Sequence, residues 1–180
     1  PNFKVSVLKA RLFCGPSLKK KLNKFLPYES RIKIIKKNGK FGKFEKYWIQ
    51  ISALKKINFK HKNFFKDIKL FKNTRYLWGG KSYKGIDCSA LVQLLINQNN
   101  KFCPRDSKDQ EKYFRKKTSL KNIRKNDLIF WKGHVAIALS KSKLIHAYGP
   151  MKKVVIMNTK KTIDRIYRTA NLKVTSIKRI

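Results

Sequence analysis

The fold is decided at Gly85-Ile86-Asp87-Cys88-Ser89-Ala90-Leu91-Val92-Gln93, a stretch that continues as the apolar run Leu94-Leu95-Ile96. This run predicts a mostly buried helix over residues 88–97. Asp87 stands one residue before the helix, where its side chain can cap the free backbone N–H groups of the first turn, and Ser89 falls within that turn. The stretch therefore places the Cys88 thiol at the N-terminus of a buried helix.

Two imidazoles lie downstream of this thiol. His134 and His146 are two of the 3 histidines in the chain. His134 begins one predicted strand and His146 lies near the end of the next, so antiparallel pairing would bring the two rings side by side. These groups could serve as a cysteine nucleophile, its base and the residue that orients the base. Alone, Cys88 could be a small buried apolar residue and either histidine a core residue, but the Asp-Cys-Ser setting favours catalysis.

Nucleophilic chemistry requires the thiol to lose its proton. A helix N-terminus and a neighbouring imidazole both lower the pKa of a cysteine, which is about 8.5 when unperturbed. We therefore expect Cys88 to form a thiolate that is paired with a protonated His134. Cys88 would attack a carbonyl carbon and His134 would protonate the leaving amine, while His146 would fix the tautomer of His134.

The pattern of the chain predicts two structured parts. Residues 1–57 read as short alternating strands with an Asn38-Gly39 turn, which suits a small β-barrel. Residues 58–73 are alternately basic and apolar and are expected to be a linker that packs a helix. Residues 74–180 are expected to form an α+β domain, because the predicted helices precede a run of strands. Beyond the first helix, these elements are a helix over 106–116 and strands over 127–131, 134–140, 143–147, 154–158 and 163–168.

The net charge is extreme, with 46 Lys plus Arg against 9 Asp plus Glu and a formal charge of +37. Such a charge attracts polyanions, including nucleic acid and anionic cell-wall polymers. The lysines are scattered along both halves and accompany abundant Ile, Asn and Phe, which is typical of an AT-rich genome. This pattern favours a compositional origin over a dedicated nucleic-acid site. The apolar content of 42% is enough for packed cores.

Other classes of protein and site are less well supported by the sequence. No run of 18 apolar residues is present that would predict a membrane span. Residues 1–13 do not resemble a secretory signal, so we expect a cytoplasmic protein, or a secreted or periplasmic one whose signal has been removed. The cysteines Cys14, Cys88 and Cys103 cannot all pair, and no C-x-x-C spacing indicates a metal site. We expect no metal and no cofactor, with Cys14 and Cys103 structural and His61 facing solvent.

Several motifs together resemble a known family, the NlpC (NlpC and p-sixty) cysteine peptidases. The similarity covers about residues 72–168, and the motifs occur in the family's order. They are Tyr76-Leu77-Trp78-Gly79-Gly80, Gly85-Ile86-Asp87-Cys88-Ser89, Pro104-Arg105-Asp106-Ser107 with Gln110, Asp127-Leu128-Ile129-Phe130-Trp131, Gly133-His134-Val135-Ala136-Ile137 and Leu144-Ile145-His146-Ala147. The resemblance implies a papain-like α+β domain.

Short motifs in the N-terminal region are similar to those of bacterial SH3-like domains. They are Ala10-Arg11-Leu12, Gly15-Pro16-Ser17, Tyr28-Glu29-Ser30-Arg31-Ile32 and Trp48-Ile49-Gln50-Ile51-Ser52-Ala53-Leu54. Combined with the C-terminal resemblance, they suggest a γ-D-glutamyl-L-diamino acid endopeptidase that cuts bacterial cell-wall (murein) peptides. In such members the SH3-like domain closes one end of the groove and restricts cleavage to peptides with a free N-terminal L-Ala.

The resemblance also implies roles for individual residues. Cys88 would be the nucleophile, His134 the base and His146 the third polar member. The residues expected to contact substrate surround them in the groove. They are Tyr76 with its hydroxyl in the cleft, Asp87 and Ser89 at the amino end of L-Ala, Arg105 as a partner for a substrate carboxylate, Asp106 and Ser107 along the groove, and Glu29 and Tyr47 on the closing surface.

Two other functions stay open from the sequence. A papain-like fold can also serve an acyltransferase or amidase. A non-catalytic protein could use the positive charge to bind anionic wall polymer or nucleic acid, with an affinity that falls steeply with salt. The sequence leaves open which diamino acid is recognised, whether free peptides or the intact wall are cut, and the oligomeric state.

Overall fold

The computed structural model describes all 180 residues, which form three α-helices and sixteen β-strands. The helices are Cys88–Asn97 (α1), Ser107–Tyr113 (α2) and Thr159–Ala170 (α3). The α+β class expected from the sequence is confirmed. None of the three helices combines the length and the apolar character needed to cross a lipid bilayer.

The N-terminal part of the chain forms two small antiparallel sheets around one core. Its strands are Phe3–Val5 (β1), Lys9–Phe13 (β2), Lys21–Pro27 (β3), Arg31–Ile32 (β4), Lys36–Asn38 (β5), Phe41–Phe44 (β6), Tyr47–Gln50 (β7) and Leu54–Lys56 (β8). They pair in the orders β3-β2-β7-β6-β5 and β4-β1-β8. Gly39 has the positive φ that the turn between β5 and β6 requires. The SH3-like barrel stays a prediction, because these strands form two sheets rather than one closed one.

The C-terminal part is built on a six-stranded antiparallel sheet. A short hairpin, Lys81–Ser82 (β9) and Gly85–Ile86 (β10), leads directly into α1. The six strands have the spatial order β11-β16-β12-β13-β14-β15. They are Lys117–Thr118 (β11), Leu128–Trp131 (β12), His134–Ala138 (β13), Lys143–Tyr148 (β14), Lys153–Asn158 (β15) and Val174–Lys178 (β16).

Helices cover both faces of this sheet. Leu128 and Phe130 of β12 share an apolar cluster with the buried side chains of α1. Their neighbours Ile129 and Trp131 point to the other face and share a cluster with Ile166 of α3. Helix α1 begins where the sequence predicts, because the Asp87 carboxylate accepts a hydrogen bond from the Ala90 backbone N–H at 2.8 Å.

The two parts of the chain meet at the C-terminal end of α1. Lys4 of β1 is fully buried, and its ammonium group donates to the carbonyl oxygens of Gln98 and Phe59. Arg31 of β4 donates to the carbonyl oxygen of Asn97. Cations at this end satisfy carbonyl groups that the helix leaves unpaired and complement its dipole. The contact therefore fixes the end of α1 that lies opposite Cys88.

Two expectations for local structure are wrong, and a third is refined. Residues 163–168 belong to α3 rather than to a strand, since the Asn158 side chain caps that helix by accepting from the Lys161 N–H. In residues 58–73, which the sequence predicts as a linker that packs a helix, the helical element is the short 3₁₀ helix Ile68–Phe71, whose first and last residues are buried in the core cluster that contains α1. His61 does not face solvent freely, because its ring lies 3.0 Å from the Asp67 carboxylate, which also accepts from the Tyr28 hydroxyl.

Candidate active site

A cleft of about 450 Å³ opens at the N-terminal end of α1. It brings together most of the residues that the sequence singled out. These are Tyr76, Asp87, Cys88, Ser89, Arg105, Asp106 and Ser107. The sequence reasoning did not assign the remaining lining residues, which are Trp78, Gly79, Lys108 and Gly133. Trp78 is the most exposed large apolar side chain of the chain, at 85%.

Cys88 is the first residue of α1, and its thiol is buried against the start of β13. Burial raises the pKa of Cys88 to about 11, although the backbone N–H of Val135 points at the sulfur and opposes this effect. The charge of Asp87 raises the pKa further. In this structure burial outweighs the helix N-terminus, so the pKa of the thiol is shifted in the direction opposite to the one expected from the sequence. The thiol is protonated at neutral pH.

The partly buried His134 and the fully buried His146 form a hydrogen-bonded pair on neighbouring strands. The Nε2 atom of His134 lies 2.9 Å from the Nδ1 atom of His146, as the antiparallel pairing of β13 and β14 predicts. Tyr148 stacks on the His146 ring with a centroid distance of 4.6 Å, and Trp131 packs against His134. Burial lowers the pKa of His134 to about 4 and holds the pKa of His146 well below 6.5. Both rings are neutral at pH 7.

The hydrogen bond between the two rings determines which nitrogen of His134 can act as a base. Its Nε2 atom is occupied by His146, so Nδ1 is the nitrogen that remains for the Cys88 proton. The residues on either side of His134 reach the thiol side of the site, since Gly133 lines the cleft and Val135 donates to the sulfur. No hydrogen bond joins Cys88 to His134 in this state, which is common for catalytic pairs without substrate.

Asp87, Ser89 and Arg105 form one hydrogen-bonded network at the edge of the cleft. The Arg105 guanidinium binds both carboxylate oxygens of Asp87, at 3.0 and 2.5 Å, and also donates to the Ser89 hydroxyl at 2.9 Å. Asp87 also accepts from the Gly79 backbone N–H at 3.0 Å. Arg105 still lines the cleft, and its expected role as a partner for a substrate carboxylate stays a prediction, although its guanidinium already pairs with Asp87.

The remaining lining groups hold this network in place. Burial, followed by the charges of Cys88 and Asp87, raises the pKa of Tyr76, so its hydroxyl stays protonated beside both residues. Asp106 precedes α2 and the buried Ser107 begins it. The Gln110 amide of α2 donates to the Ser89 carbonyl at 2.8 Å and ties α2 to the first turn of α1.

Glu29 and Tyr47 do not line the cleft. Glu29 pairs with Arg31 at 2.8 Å, and Arg31 in turn contacts the last residue of α1. A helix of 10 residues is about 15 Å long, so Glu29 lies at the end of α1 that is remote from Cys88. Tyr47 lines a separate pocket with Lys24 and Tyr83. The strand pattern does not show which face of the N-terminal sheets packs against the C-terminal part. In the structure, the packed face leaves both residues outside the cleft.

The geometry agrees with the comparisons to known proteins. The sequence profile of the NlpC/P60 family matches residues 73–171, a stretch longer than half of the chain. The chain belongs to the NlpC/P60 family. The match covers both cleft-forming helices and the strands that carry His134 and His146. The family resemblance expected from the sequence is thus confirmed for the C-terminal part.

Two known proteins are similar in sequence to parts of the chain. It is 39% identical over 74 residues to dipeptidyl-peptidase 6 of Lysinibacillus sphaericus, covering 41% of the chain and 27% of that protein. It is 33% identical over 96 residues to γ-D-glutamyl-L-lysine dipeptidyl-peptidase of Bacillus subtilis, covering 49% of the chain and 32% of that protein. The chain thus spans about a third or less of the length of these relatives.

A solved NlpC/P60 structure extends the similarity in fold to the N-terminal part. The NlpC/P60 family protein from Bacillus cereus superimposes with a TM-score of 0.79 at 20% identity. The alignment covers 99% of this chain and 62% of that protein. The arrangement of the N-terminal sheets on the C-terminal part is therefore a shared fold.

Proposed function

We propose that this protein is a cysteine peptidase that hydrolyses the γ-D-glutamyl-diamino acid bond of cell-wall peptides with a free N-terminal L-Ala. The observation that carries the proposal is the cleft, which is lined by Cys88 at the start of α1 and by Gly133, the residue that precedes the hydrogen-bonded pair of His134 and His146. Relatives of the chain are named as peptidases, one of them for a γ-D-glutamyl-L-lysine bond. The murein peptide is the proposed substrate.

The reaction begins from a neutral thiol and a neutral imidazole. When substrate binds, His134 Nδ1 takes the Cys88 proton as the sulfur attacks the carbonyl carbon, so no free thiolate accumulates. The protonated Tyr76 hydroxyl can donate to the carbonyl oxygen as negative charge develops on it. His134 then gives its proton to the leaving amine, and a thioester forms. Attack by water on this thioester, with His134 again as base, releases the acid and restores Cys88.

The network around Asp87 is the proposed binding site for the amino end of the substrate. Ser89 and Asp87 supply oxygen acceptors at the cleft, and an ammonium group requires such acceptors. Arg105 holds the Asp87 carboxylate with two hydrogen bonds, so we now assign it to positioning this acceptor. Asp106 and Ser107 continue the lining along the substrate.

A substrate panel tests this proposal. We expect the purified protein to cut L-Ala-γ-D-Glu-diaminopimelate between the last two residues, as detected by mass spectrometry of the products. The matched α-linked peptide should remain intact, and N-acetylation of L-Ala should slow cleavage at least about tenfold by removing the ammonium charge. If the γ-linked peptide stays uncut while an unrelated amide or ester is turned over, the amidase or acyltransferase alternative is favoured.

The place of action is a separate part of the proposal. We propose recycling of free wall peptides in the cytoplasm, with cleavage of the wall outside the cell as the alternative. Parallel digestion of free tripeptide and of intact sacculi separates the two. Release of fragments from sacculi at a rate comparable to tripeptide cleavage would favour action on the wall itself.

A second candidate function is binding of anionic polymer, and one specific surface favours it. A pocket of about 520 Å³ contains three lysines and three aromatic rings without any acidic residue. The Lys9 ammonium lies 3.9 Å from the Phe25 ring centre, and Lys24 donates to the Tyr47 hydroxyl. The remaining charged and aromatic lining residues are Tyr83 and Lys84 of the hairpin that precedes α1. Binding here should weaken steeply with salt and survive Cys88→Ala.

A further inference from the structure

His146 is fully buried and has two polar contacts, one at each ring nitrogen. Its Nδ1 atom lies 2.9 Å from His134 Nε2, and its Nε2 atom lies 3.3 Å from the sulfur of Met157. Met157 is on β15, the edge strand of the sheet. In the β14–β15 register His146 is opposite Val155, so Met157 is its diagonal neighbour on the same face.

A thioether sulfur can accept a weak hydrogen bond but has no proton to donate. Contact with Met157 therefore favours a hydrogen on His146 Nε2. In a neutral ring the other nitrogen, Nδ1, is then bare and must accept. His134 Nε2 supplies that hydrogen, which leaves His134 Nδ1 without a proton and able to act as the base.

The opposite arrangement would be inactive. If His146 carried its hydrogen on Nδ1, its bare Nε2 would face the sulfur lone pairs. His134 Nε2 would then be the acceptor, and its Nδ1 would carry the hydrogen. That tautomer of His134 cannot take a proton from Cys88. The tautomers of the two rings are thus linked, and the contact between His146 and Met157 determines which pair of tautomers is favoured.

We propose that Met157 is a positioning residue that sets the tautomers of both histidines through an N–H···S hydrogen bond to His146. This inference rests on the proposed function for its effect on the reaction, but the tautomers themselves can be observed without substrate. The chain offers a matched control, because it has 2 methionines and the other, Met151, lies on the surface at 38% exposure.

The direct test is ¹⁵N NMR of the imidazole nitrogens in the wild-type protein near pH 7. We expect His146 to show a protonated Nε2 and a bare Nδ1, and His134 to show the same pattern. A protonated Nδ1 on His146 would overturn the inference without any variant. Because this measurement needs no substrate, it stands even if the peptide of the proposed function is not cleaved.

Variants then test the role of the sulfur. Met157→Leu keeps the side-chain volume and removes the acceptor. A buried N–H without an acceptor costs about 1–3 kcal/mol, which lowers the ratio of active to inactive tautomer about 5- to 150-fold. We expect kcat to fall within that range with little change in KM, and the His146 signals to shift toward the other tautomer.

Two further variants make the outcome decisive. Met157→Gln supplies an amide oxygen at the same reach and should restore part of kcat and the Nε2-protonated signal, whereas Met151→Leu should change neither. Unaltered His146 signals in Met157→Leu would overturn the inference. Altered signals in a protein that never cleaves the tripeptide would instead refute the proposed peptidase function and leave the role of Met157 intact.

Discussion

The protonation state of Cys88 can be read from the rate at which the thiol is alkylated at different pH values. Burial raises its pKa to about 11. At pH 7 about one molecule in 10⁴ then carries the thiolate, against about 3 in 100 for a thiol with an unperturbed pKa of about 8.5. We therefore expect iodoacetamide to react with Cys88 about 300-fold more slowly at pH 7 than with an ordinary exposed thiol of equal nucleophilicity.

The pH dependence of this reaction is more informative than its absolute rate. Without a preformed ion pair, the rate should rise about tenfold per pH unit from pH 6 to 9, because the thiolate fraction does so. The assay uses the double variant Cys14→Ser and Cys103→Ser, with the label located by mass spectrometry of the Cys88 peptide. His134→Ala should keep the same slope.

A plateau in the alkylation rate between about pH 5 and 8 would refute this reasoning. Such a plateau is the signature of a thiolate stabilised by a protonated imidazole, the state expected from the sequence alone. It would show that the helix N-terminus and His134 outweigh the burial of the sulfur. Its loss in His134→Ala would identify His134 as the cation.

Three further predictions concern stability. The free energy of unfolding should fall by at least about 3 kcal/mol between pH 6.5 and 4, because the unfolded chain protonates both histidines below pH 6.5 while in the folded chain the pKa of His134 stays near 4 and that of His146 stays well below 6.5. A flat profile in urea titrations would contradict this. Arg105→Ala should lower the free energy of unfolding by about 2 kcal/mol, because it removes two hydrogen bonds from the mostly buried Asp87 carboxylate. Arg105→Lys should restore only part of this loss. Lys4→Met should lower the free energy of unfolding by about 2–3 kcal/mol by leaving the Gln98 and Phe59 carbonyls unpaired, whereas Lys33→Met on the surface should change it by less than about 0.5 kcal/mol.

Local signals in the sequence predicted helix α1 and the contact between the two histidine rings. Helix α1 has the predicted bounds, because the Asp87 N-cap marks its start and the apolar residues around Gln93 indicate its burial. The pairing of His134 with His146 followed from the order of two strands. Helix α3 was missed because its 12 residues are mostly polar and only three of them are buried, so a short apolar alternation suggested a strand.

Properties that depend on tertiary contacts could not be predicted in the same way. The sequence showed Arg105 and Asp87 as two separate binding residues, and only the structure shows that they neutralise each other. Lys4 looked like one of many surface lysines, yet it is fully buried at the end of α1. The sign of the Cys88 shift was also wrong, because the sequence indicates the helix terminus but not the depth of the sulfur.

The central claim is that Cys88 carries the chemistry in a cleft built for wall peptides. Its most direct test compares the wild-type protein with Cys88→Ala and Cys88→Ser on L-Ala-γ-D-Glu-diaminopimelate, with the products quantified by mass spectrometry and the fold of each variant checked by circular dichroism. The account predicts release of the L-Ala-D-Glu dipeptide by the wild type, and a loss of at least about 10³-fold in both folded variants. Cleavage by Cys88→Ala at a rate close to that of the wild type would contradict it.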